Sequence, residues 1–337
     1  MDAPLWTETH APGLDDLPQA SVRDRLDRAV DEPMNLVVQG PPGAGKTAAV
    51  RALADAAHAD ATDLVEINVA DFFDRTKTEI REDPRFEQFL TGRSRMPKRD
   101  MINRVLKESA SYAPVSGDYK TIVLDNAEAI REDFQQALRR VMERHHRTTQ
   151  FVIVTRQPST LIAPVRSRCF PVPVRAPTAD EIEAVVRDIL DAEAVDYDDD
   201  GLEFVAGYAD GDLRKAILGA QTAAVEAGEV TMTTVHGTLR DVGHDDELAA
   251  ILESAEAGDV ADARKTVGTL LDDEGYDGQS LLVDLLEAAR KRYDGETLAR
   301  LHRLAGEVDH DLVTGADDRL HLTHLLASWG TGRAPHR

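Results

Sequence analysis

The residues with the clearest chemistry form one segment of eight, in which three glycines precede a lysine and a threonine. In order they are Gly40, Pro41, Pro42, Gly43, Ala44, Gly45, Lys46 and Thr47. In this pattern the glycine-rich backbone curls its N–H groups around a phosphate chain, the lysine reaches the β- and γ-phosphates, and the threonine hydroxyl ligates Mg²⁺. The alternative is a glycine turn that merely closes a strand–helix unit. The complete spacing favours a nucleotide site.

A second candidate group follows the apolar run at 122–124, which ends on Asp125. A carboxylate delivered there, beside a phosphate loop, is suited to hold Mg²⁺, although an aspartate can also cap the next turn. ATPases of this kind normally place a glutamate next, to polarise the attacking water. Here the residue is Asn126, whose amide can orient water but cannot accept its proton. Glu128 lies two residues further on and is the alternative carboxylate for this role, although we expect the chain to have turned away there.

The elements that must position these groups are strands and helices in alternation. Apolar runs at 36–38, 64–69, 121–124 and 151–155 predict strands, and the patterns at 48–57 and 134–145 predict helices. This alternation predicts a parallel sheet with helices on both faces. After the prolines of 171–177 we expect helices only. The predicted fold class is an α/β nucleotide-binding module at 1–174, an all-helical lid at 175–238, and a second helical domain at 239–330.

Composition limits the classes of protein and of compartment. The 337 residues carry 62 acidic and 39 basic side chains, a net charge of −23, and only eight of the basic residues are lysine. Such a surface is typical of proteins kept soluble in high salt, so we expect a halophilic source. The lone cysteine, Cys169, cannot form an internal disulfide. The N-terminus lacks the features of a signal peptide and no apolar run has transmembrane length, so we expect a cytoplasmic protein without membrane contact.

One short segment reverses the sign of the charge. Between residues 93 and 107 a single acid, Asp100, accompanies six cations: Arg93, Arg95, Lys98, Arg99, Arg104 and Lys107. Arg104 and Lys107 are three residues apart, so a helix would place them on one face. Such cations favour contact with DNA phosphates without base readout. An exposed basic loop that balances the acidic surface is the alternative.

Five segments together resemble one known family. They are the run at 135–143 (QQALRRVME), the run at 149–153 (TQFVI), Ser167-Arg168-Cys169, the run at 211–216 (GDLRKA) and the run at 313–320 (VTGADDRL). They are similar to the small subunits of replication factor C, the archaeal and eukaryotic loader of sliding clamps, which belongs to the AAA+ ATPases. The similarity extends over essentially the whole chain, and it identifies residues 239–330 with the collar domain of that family.

The resemblance implies a hetero-pentameric ring that binds ATP and Mg²⁺ at subunit interfaces, opens a sliding clamp and grips primer–template DNA. By this resemblance Arg168 reaches the γ-phosphate held by a neighbouring subunit, as arginine fingers do. The alternative for Arg168 is a surface salt bridge. Arg214 is expected to approach the nucleotide of its own subunit.

Three departures from the family pattern concern the nucleotide site. Asn126 replaces the catalytic glutamate, Arg156 replaces the sensor asparagine, and the usual Tyr-Arg-Pro near the N-terminus is His10-Ala11-Pro12. We therefore expect a divergent second small subunit that binds ATP and hydrolyses it weakly. It is expected to supply Arg168 as an arginine finger to a neighbouring subunit. The complex should be a clamp- and DNA-stimulated ATPase, while activity of the isolated chain stays open. The alternatives are an independent AAA+ remodelling or helicase-loading ATPase, and a purely structural ring subunit.

Overall fold

The structure, a computed structural model, describes residues 4–83, 97–272, 276–315 and 317–330. The chain divides into two compact units, Met1–His236 and Gly237–Arg337. The limits proposed from the sequence for three domains stay a prediction.

Five parallel strands form the sheet of the N-terminal unit in the described residues, in the order β2-β3-β4-β1-β5. The strands are β1 (Leu36–Gln39), β2 (Leu64–Asn68), β3 (Lys120–Asp125), β4 (Thr149–Thr155) and β5 (Phe170–Pro173). All pairs are parallel, which confirms the predicted fold class. Because carboxyl ends of parallel strands meet at one edge, the segments after β1, β3 and β4 are brought together there.

In β1, β3 and β4, alternate residues enter different cores, which explains why these strands are apolar on both faces. In β4, Phe151 and Ile153 belong to one core, while Val152 and Val154 belong to the other. The α-helices described in this part of the chain are α1 (Trp6–Thr9), α2 (Ala20–Asp31), α3 (Lys46–Ala57), α4 (Val69–Asp74), α5 (Lys77–Glu82), α6 (Lys98–Ser111), α7 (Glu132–His145) and α8 (Ala163–Arg166). The helices α2 and α3 contribute to the second core, and α6 and α7 to the first.

Two features of the strands differ from expectation. The proline-rich segment includes β5, which pairs with β1 at the edge of the sheet, where prolines that cannot donate to the ladder are tolerated. The expectation that strands end before residue 178 is wrong in detail. Two short strands, β6 (Asp196–Tyr197) and β7 (Glu229–Val230), pair in parallel among the helices of the lid. Each has two residues, too few for an alternating pattern to show in the sequence.

The lid helices are α9 (Ala179–Glu193), α10 (Asp199–Ala209) and α11 (Leu213–Ala227), followed by α12 (Met232–Gly243). A capping box of Thr178 and Glu181 fixes the start of α9, and Asp198 and Asp212 cap α10 and α11. Asp212 therefore has a structural task, although it also lies beside the phosphate loop.

The C-terminal unit is helical throughout its described residues. Its helices are α13 (Asp245–Glu256), α14 (Val260–Asp272), α15 (Gly278–Arg292), α16 (Gly295–Thr314) and α17 (Asp318–Gly330). They enclose a core of their own, made mostly of leucines, with Trp329 at its edge. This observation fits the prediction of a second helical domain.

Candidate nucleotide-binding site

The glycine-rich segment lies between β1 and α3, at the carboxyl edge of the sheet. Gly43 and Gly45 have positive φ angles of 65° and 87°, a conformation that favours glycine. A Cβ at Gly43 would lie 2.0 Å from the carboxylate of Asp212, so only glycine fits there. The buried amide of Gln19 donates to the Ala44 carbonyl at 3.2 Å, which helps to fix the conformation of the loop. The backbone is thus shaped as a phosphate cradle at the N-terminus of a helix.

Lys46, Thr47 and Asp125 meet at this edge. The Thr47 hydroxyl donates to a carboxylate oxygen of Asp125 at 2.9 Å, and the Lys46 ammonium donates to the Pro41 carbonyl at 2.5 Å. Burial lowers the pKa of Lys46 below its usual value, although nearby carboxylates, Asp125 first among them, oppose the shift. The structure therefore brings together the three side chains that the sequence predicts for phosphate and Mg²⁺.

These donors fit Mg²⁺ and a phosphate chain. One hydroxyl and one carboxylate in contact supply few oxygen ligands, and Mg²⁺ is usually bound by one or two carboxylates together with substrate phosphates and water. In the described residues, no group of three or more His, Cys, Asp or Glu could hold a metal by itself. The ion would therefore depend on a bound nucleotide for the rest of its coordination.

Asn126 directly follows β3 and has a left-handed backbone, with φ 52° and ψ 45°. Its amide nitrogen donates to the side chain of Asn68, at the end of β2, at 3.2 Å. The register places Asn68 opposite Asp125, which explains why these side chains meet. The amide offers no group that could take a proton from water, as the sequence predicts.

Glu128 faces the cleft, contrary to the expectation that the chain has turned away. A 3₁₀ turn at Ala127–Ala129 brings its carboxylate to Arg156, whose Nε lies 2.5 Å from Oε1. The Thr155 hydroxyl and the Arg156 backbone N–H donate to Oε2 at 3.0 and 3.2 Å. Partial burial raises the pKa of Glu128, but these hydrogen bonds outweigh it and hold the pKa below its usual value. No signal in the sequence indicated this pair.

One cleft of about 940 Å³, a volume suited to a nucleotide, is lined by Lys46, Thr47, Asp125, Asn126, Glu128 and Arg156. Three residues of the N-terminal segment also line the cleft: Thr7, Thr9 and His10. The His10 ring contacts Glu193 of α9 at 2.5 Å. Arg214, at the start of α11, also lines the cleft, where the resemblance places it. His10, which belongs to the segment that replaces the Tyr-Arg-Pro of the family, thus lines the cleft.

Arg168 lies elsewhere, beside the opposite end of β1. Its carbonyl accepts from the amide of Asn35, which precedes β1, at 3.3 Å. The guanidinium contacts Glu143 at 2.5 Å and the Pro164 carbonyl at 2.7 Å. The strand between it and the phosphate loop rises by roughly 13 Å over its four residues. Arg168 is therefore separated from the nucleotide cleft of its own chain.

The basic segment is described in part. Arg93 and Arg95 lie outside the described residues, and Lys98 and Arg99 begin α6. Further along α6, Arg104 is half-buried and contacts Glu108 at 3.3 Å, while Lys107 is exposed. The structure thus places Arg104 and Lys107 on one helix, and their contact with DNA stays a prediction.

A phosphate loop before a helix, a carboxylate at the end of β3, and a five-stranded parallel sheet together define an ATPase module of the AAA+ class. The family model for ATPases associated with various cellular activities matches residues 36–174, and the model for the replication factor C C-terminal domain matches residues 243–328. A solved structure of a single-residue variant of RuvB from Thermotoga maritima has a TM-score of 0.51 and 16% identity, and covers 81% of this chain and 84% of that chain. That likeness supports the fold alone.

Two curated relatives carry the same name, replication factor C small subunit. The protein from Natronomonas pharaonis is 31% identical, with 97% of this chain and 95% of the relative covered. The protein from Thermofilum pendens is 32% identical, with 97% and 96% covered. The chain belongs to the replication factor C small-subunit family, and its role is that of a nucleotide-binding subunit in a clamp-loader ATPase complex. In the described residues, no helix combines the length and hydropathy needed to span a membrane.

Proposed function

We propose that this subunit binds ATP with Mg²⁺ at its own phosphate loop but hydrolyses it slowly. Lys46, Thr47 and Asp125 would hold the phosphates and the metal, which would supply positive charge against the phosphate oxygens. The observation that carries the proposal is Asn126, whose amide contacts Asn68 at 3.2 Å in the position where a base is needed. Loss of a positioned general base typically costs about two to four orders of magnitude in rate.

Arg168 acts, in this proposal, on a nucleotide that a neighbouring subunit holds. Its distance from its own cleft along β1 supports a role in trans. Because Arg168 contacts Glu143 at 2.5 Å, the guanidinium must exchange this carboxylate for the neighbour's γ-phosphate. The planar fork of arginine suits this exchange, since it offers several donors to phosphate oxygens.

The partners proposed for the assembled ring are a sliding clamp and primer–template DNA, with Arg104 and Lys107 on the DNA side. The exposed ammonium of Lys107 supports phosphate contact without base readout. A cytoplasmic location belongs to the same proposal. A structural subunit that binds no nucleotide fits the shaped phosphate loop poorly.

The test is a comparison of binding and turnover in the full-length chain, purified in concentrated KCl. Calorimetric titration with ATP and Mg²⁺ should show one site, which Lys46→Ala should lose. Steady-state phosphate release by the same chain should be about two to four orders of magnitude slower than that of partner subunits with Asp-Glu. Rapid multiple turnover by the wild-type chain alone would contradict weak hydrolysis. Absence of nucleotide binding would contradict the proposal as a whole.

A further inference from the structure

A groove on the C-terminal unit gathers cations that the proposed function does not use. It has a volume of about 370 Å³, follows one face of α14 and includes the start of α17. Residues three, four and seven positions apart on α14 share this face, because a helix turns once in about 3.6 residues. We call this feature the α14 groove, and its lining includes Arg264, Lys265, Gly268, Thr269 and Asp272 of α14 and Arg319 of α17.

Arg319 is held in a defined position within this groove. Its guanidinium contacts the Asp272 carboxylate and lies over Gly268, where an added Cβ would come within 3.2 Å of the guanidinium carbon. Glycine inside a helix is unfavourable, since it loses more conformational freedom on folding than other residues do. Gly268 is a buried residue of α14, and its missing side chain leaves room for the guanidinium. The groove therefore has one fixed cation.

Arg264 and Lys265 supply two further cations of a different kind. Both are exposed, and neither side chain has an ion-pair partner among the described residues. Three cations thus meet one carboxylate in this groove, although the whole chain has a net charge of −23. Such a local excess of positive charge attracts a negatively charged ligand.

The composition of the groove indicates the class of that ligand. Among the described lining residues, Ala261 has the one purely apolar side chain, whereas permanent subunit interfaces are rich in apolar area and depleted of charge at their centre. DNA is also disfavoured, because its closely spaced phosphates would meet the carboxylates of Asp272 and of Asp262 on the same helix. An acidic protein segment avoids this repulsion, since uncharged residues can separate its carboxylates.

We propose that the α14 groove is a docking site for an acidic segment of a partner protein that is not a permanent subunit of the ring. Carboxylates of the segment pair with Arg264 and Lys265, while Arg319 offers the donors that Asp272 does not use. The contact is transient and weakens with salt, because its charges stay near solvent. This interaction is independent of nucleotide binding at the phosphate loop.

The experiment uses the full-length chain and a labelled peptide in which pairs of glutamates alternate with pairs of alanines. A second peptide has glutamine in place of every glutamate. Fluorescence anisotropy over a series of KCl concentrations gives the Kd of each peptide, with circular dichroism as a check on folding. The acidic peptide should bind more tightly than the glutamine peptide, and the difference should shrink as KCl is raised.

Arg264→Gln with Lys265→Gln should raise the Kd of the acidic peptide about tenfold, since two charge-assisted contacts are lost. Arg319→Gln should raise it less, because Asp272 already occupies part of that guanidinium. The matched control is Arg290→Gln with Arg303→Gln, which removes the same charge from exposed positions of this unit outside the groove. This control should leave the Kd unchanged.

Equal binding of the two peptides, or an unchanged Kd in the groove variant, would overturn the inference. Equal weakening by the control pair would do the same, because it would show attraction to net charge alone. If the groove variant weakens binding of a single-stranded oligonucleotide but not of the peptide, the groove is a nucleic-acid site instead. If that variant prevents assembly of the mixed complex in size-exclusion chromatography, the groove is a permanent subunit interface. None of these results concerns nucleotide binding, so the proposed function is judged by its own test.

Discussion

The nucleotide cleft has two sides that differ in how closely they follow an ATPase pattern. The phosphate side consists of residues 40–47 together with Asp125, and the Thr47 hydroxyl donates to the Asp125 carboxylate at 2.9 Å. The water side consists of Asn126, Glu128 and Arg156, and its groups are bound to one another or to Asn68. In the proposed function, binding and hydrolysis therefore depend mainly on separate groups, and one can be retained while the other is altered.

The comparison also explains why the altered side need not disturb the retained one. The loop is shaped by β1, α3 and Asp212, whereas Asn126 and Arg156 project from the ends of β3 and β4. A substitution at a strand end changes one side chain in the cleft without repacking the buried cores. In the proposed function, the chain thus keeps its nucleotide while hydrolysis depends on other subunits.

The largest expected effect comes from Arg168, which belongs to neither side of its own cleft. Arg168→Ala should leave ATP binding by this chain unchanged but lower turnover at the site it serves in the mixed complex. Arginine fingers contribute about three to five orders of magnitude in kcat. Single-turnover hydrolysis in reconstituted complexes measures the effect at one interface, and Arg168→Lys should rescue little.

The matched control for this prediction is Arg166→Ala, which removes an exposed arginine of the same segment. It should leave turnover close to that of the wild-type complex. Loss of the chain's own nucleotide in Arg168→Ala, with full activity of the complex, would show that the arginine acts in cis.

A smaller effect is expected from restoring a carboxylate on the water side. Asn126→Glu should raise hydrolysis at this chain's own site in the assembled complex, since a general base contributes about two to four orders of magnitude. The gain should fall short of that range, because asparagine tolerates the left-handed backbone at φ 52°, whereas most other non-glycine residues pay about 1–2 kcal/mol there. The gain is measured as phosphate release by a complex whose partner subunits carry lysine-to-alanine changes in their own phosphate loops.

Asn126→Gln is the matched control, because it has the length of glutamate without its charge. It should produce no gain. If the glutamine variant accelerates hydrolysis as much as the glutamate variant does, the carboxylate is not the missing group and the division between the two sides is wrong.

The smallest expected effect concerns the cations of α6, which belong to neither side of the nucleotide cleft. Arg104→Ala with Lys107→Ala should weaken primed-DNA binding by the loader and leave nucleotide affinity intact. Each lost phosphate contact should reduce the log–log salt slope by about one unit. Lys107 should contribute more than Arg104, because Arg104 already contacts Glu108 at 3.3 Å. Titration of labelled primed DNA over a range of salt concentrations gives the slopes.

The control pair is Arg264→Ala with Lys265→Ala, two exposed cations in the C-terminal unit. These changes should leave the salt slope unaltered. Equal slopes for the α6 variant and the wild type would show that Arg104 and Lys107 do not contact DNA.

Local sequence pattern is enough to predict the phosphate side of the cleft and the class of fold. The glycine loop, Lys46 and Thr47 are consecutive, and Asp125 ends a continuous apolar run, so local pattern was sufficient. Alternation of apolar strands with amphipathic helices predicted the parallel sheet. Segments such as Ser167-Arg168-Cys169 placed the chain in its family without any knowledge of contacts.

The water side, in contrast, depends on contacts that form only when the chain folds. Asn68, Glu128 and Arg156 follow or end different strands, far apart in the chain, and the sheet order joins them. The contact of Glu128 depends on a single 3₁₀ turn, and that of Arg168 with Glu143 depends on how α7 packs against the segment after α8. Such pairs leave no periodic signal, because they depend on side-chain geometry across strands. Motifs of consecutive residues can therefore be predicted from the sequence, but ion pairs between distant segments depend on how the chain folds.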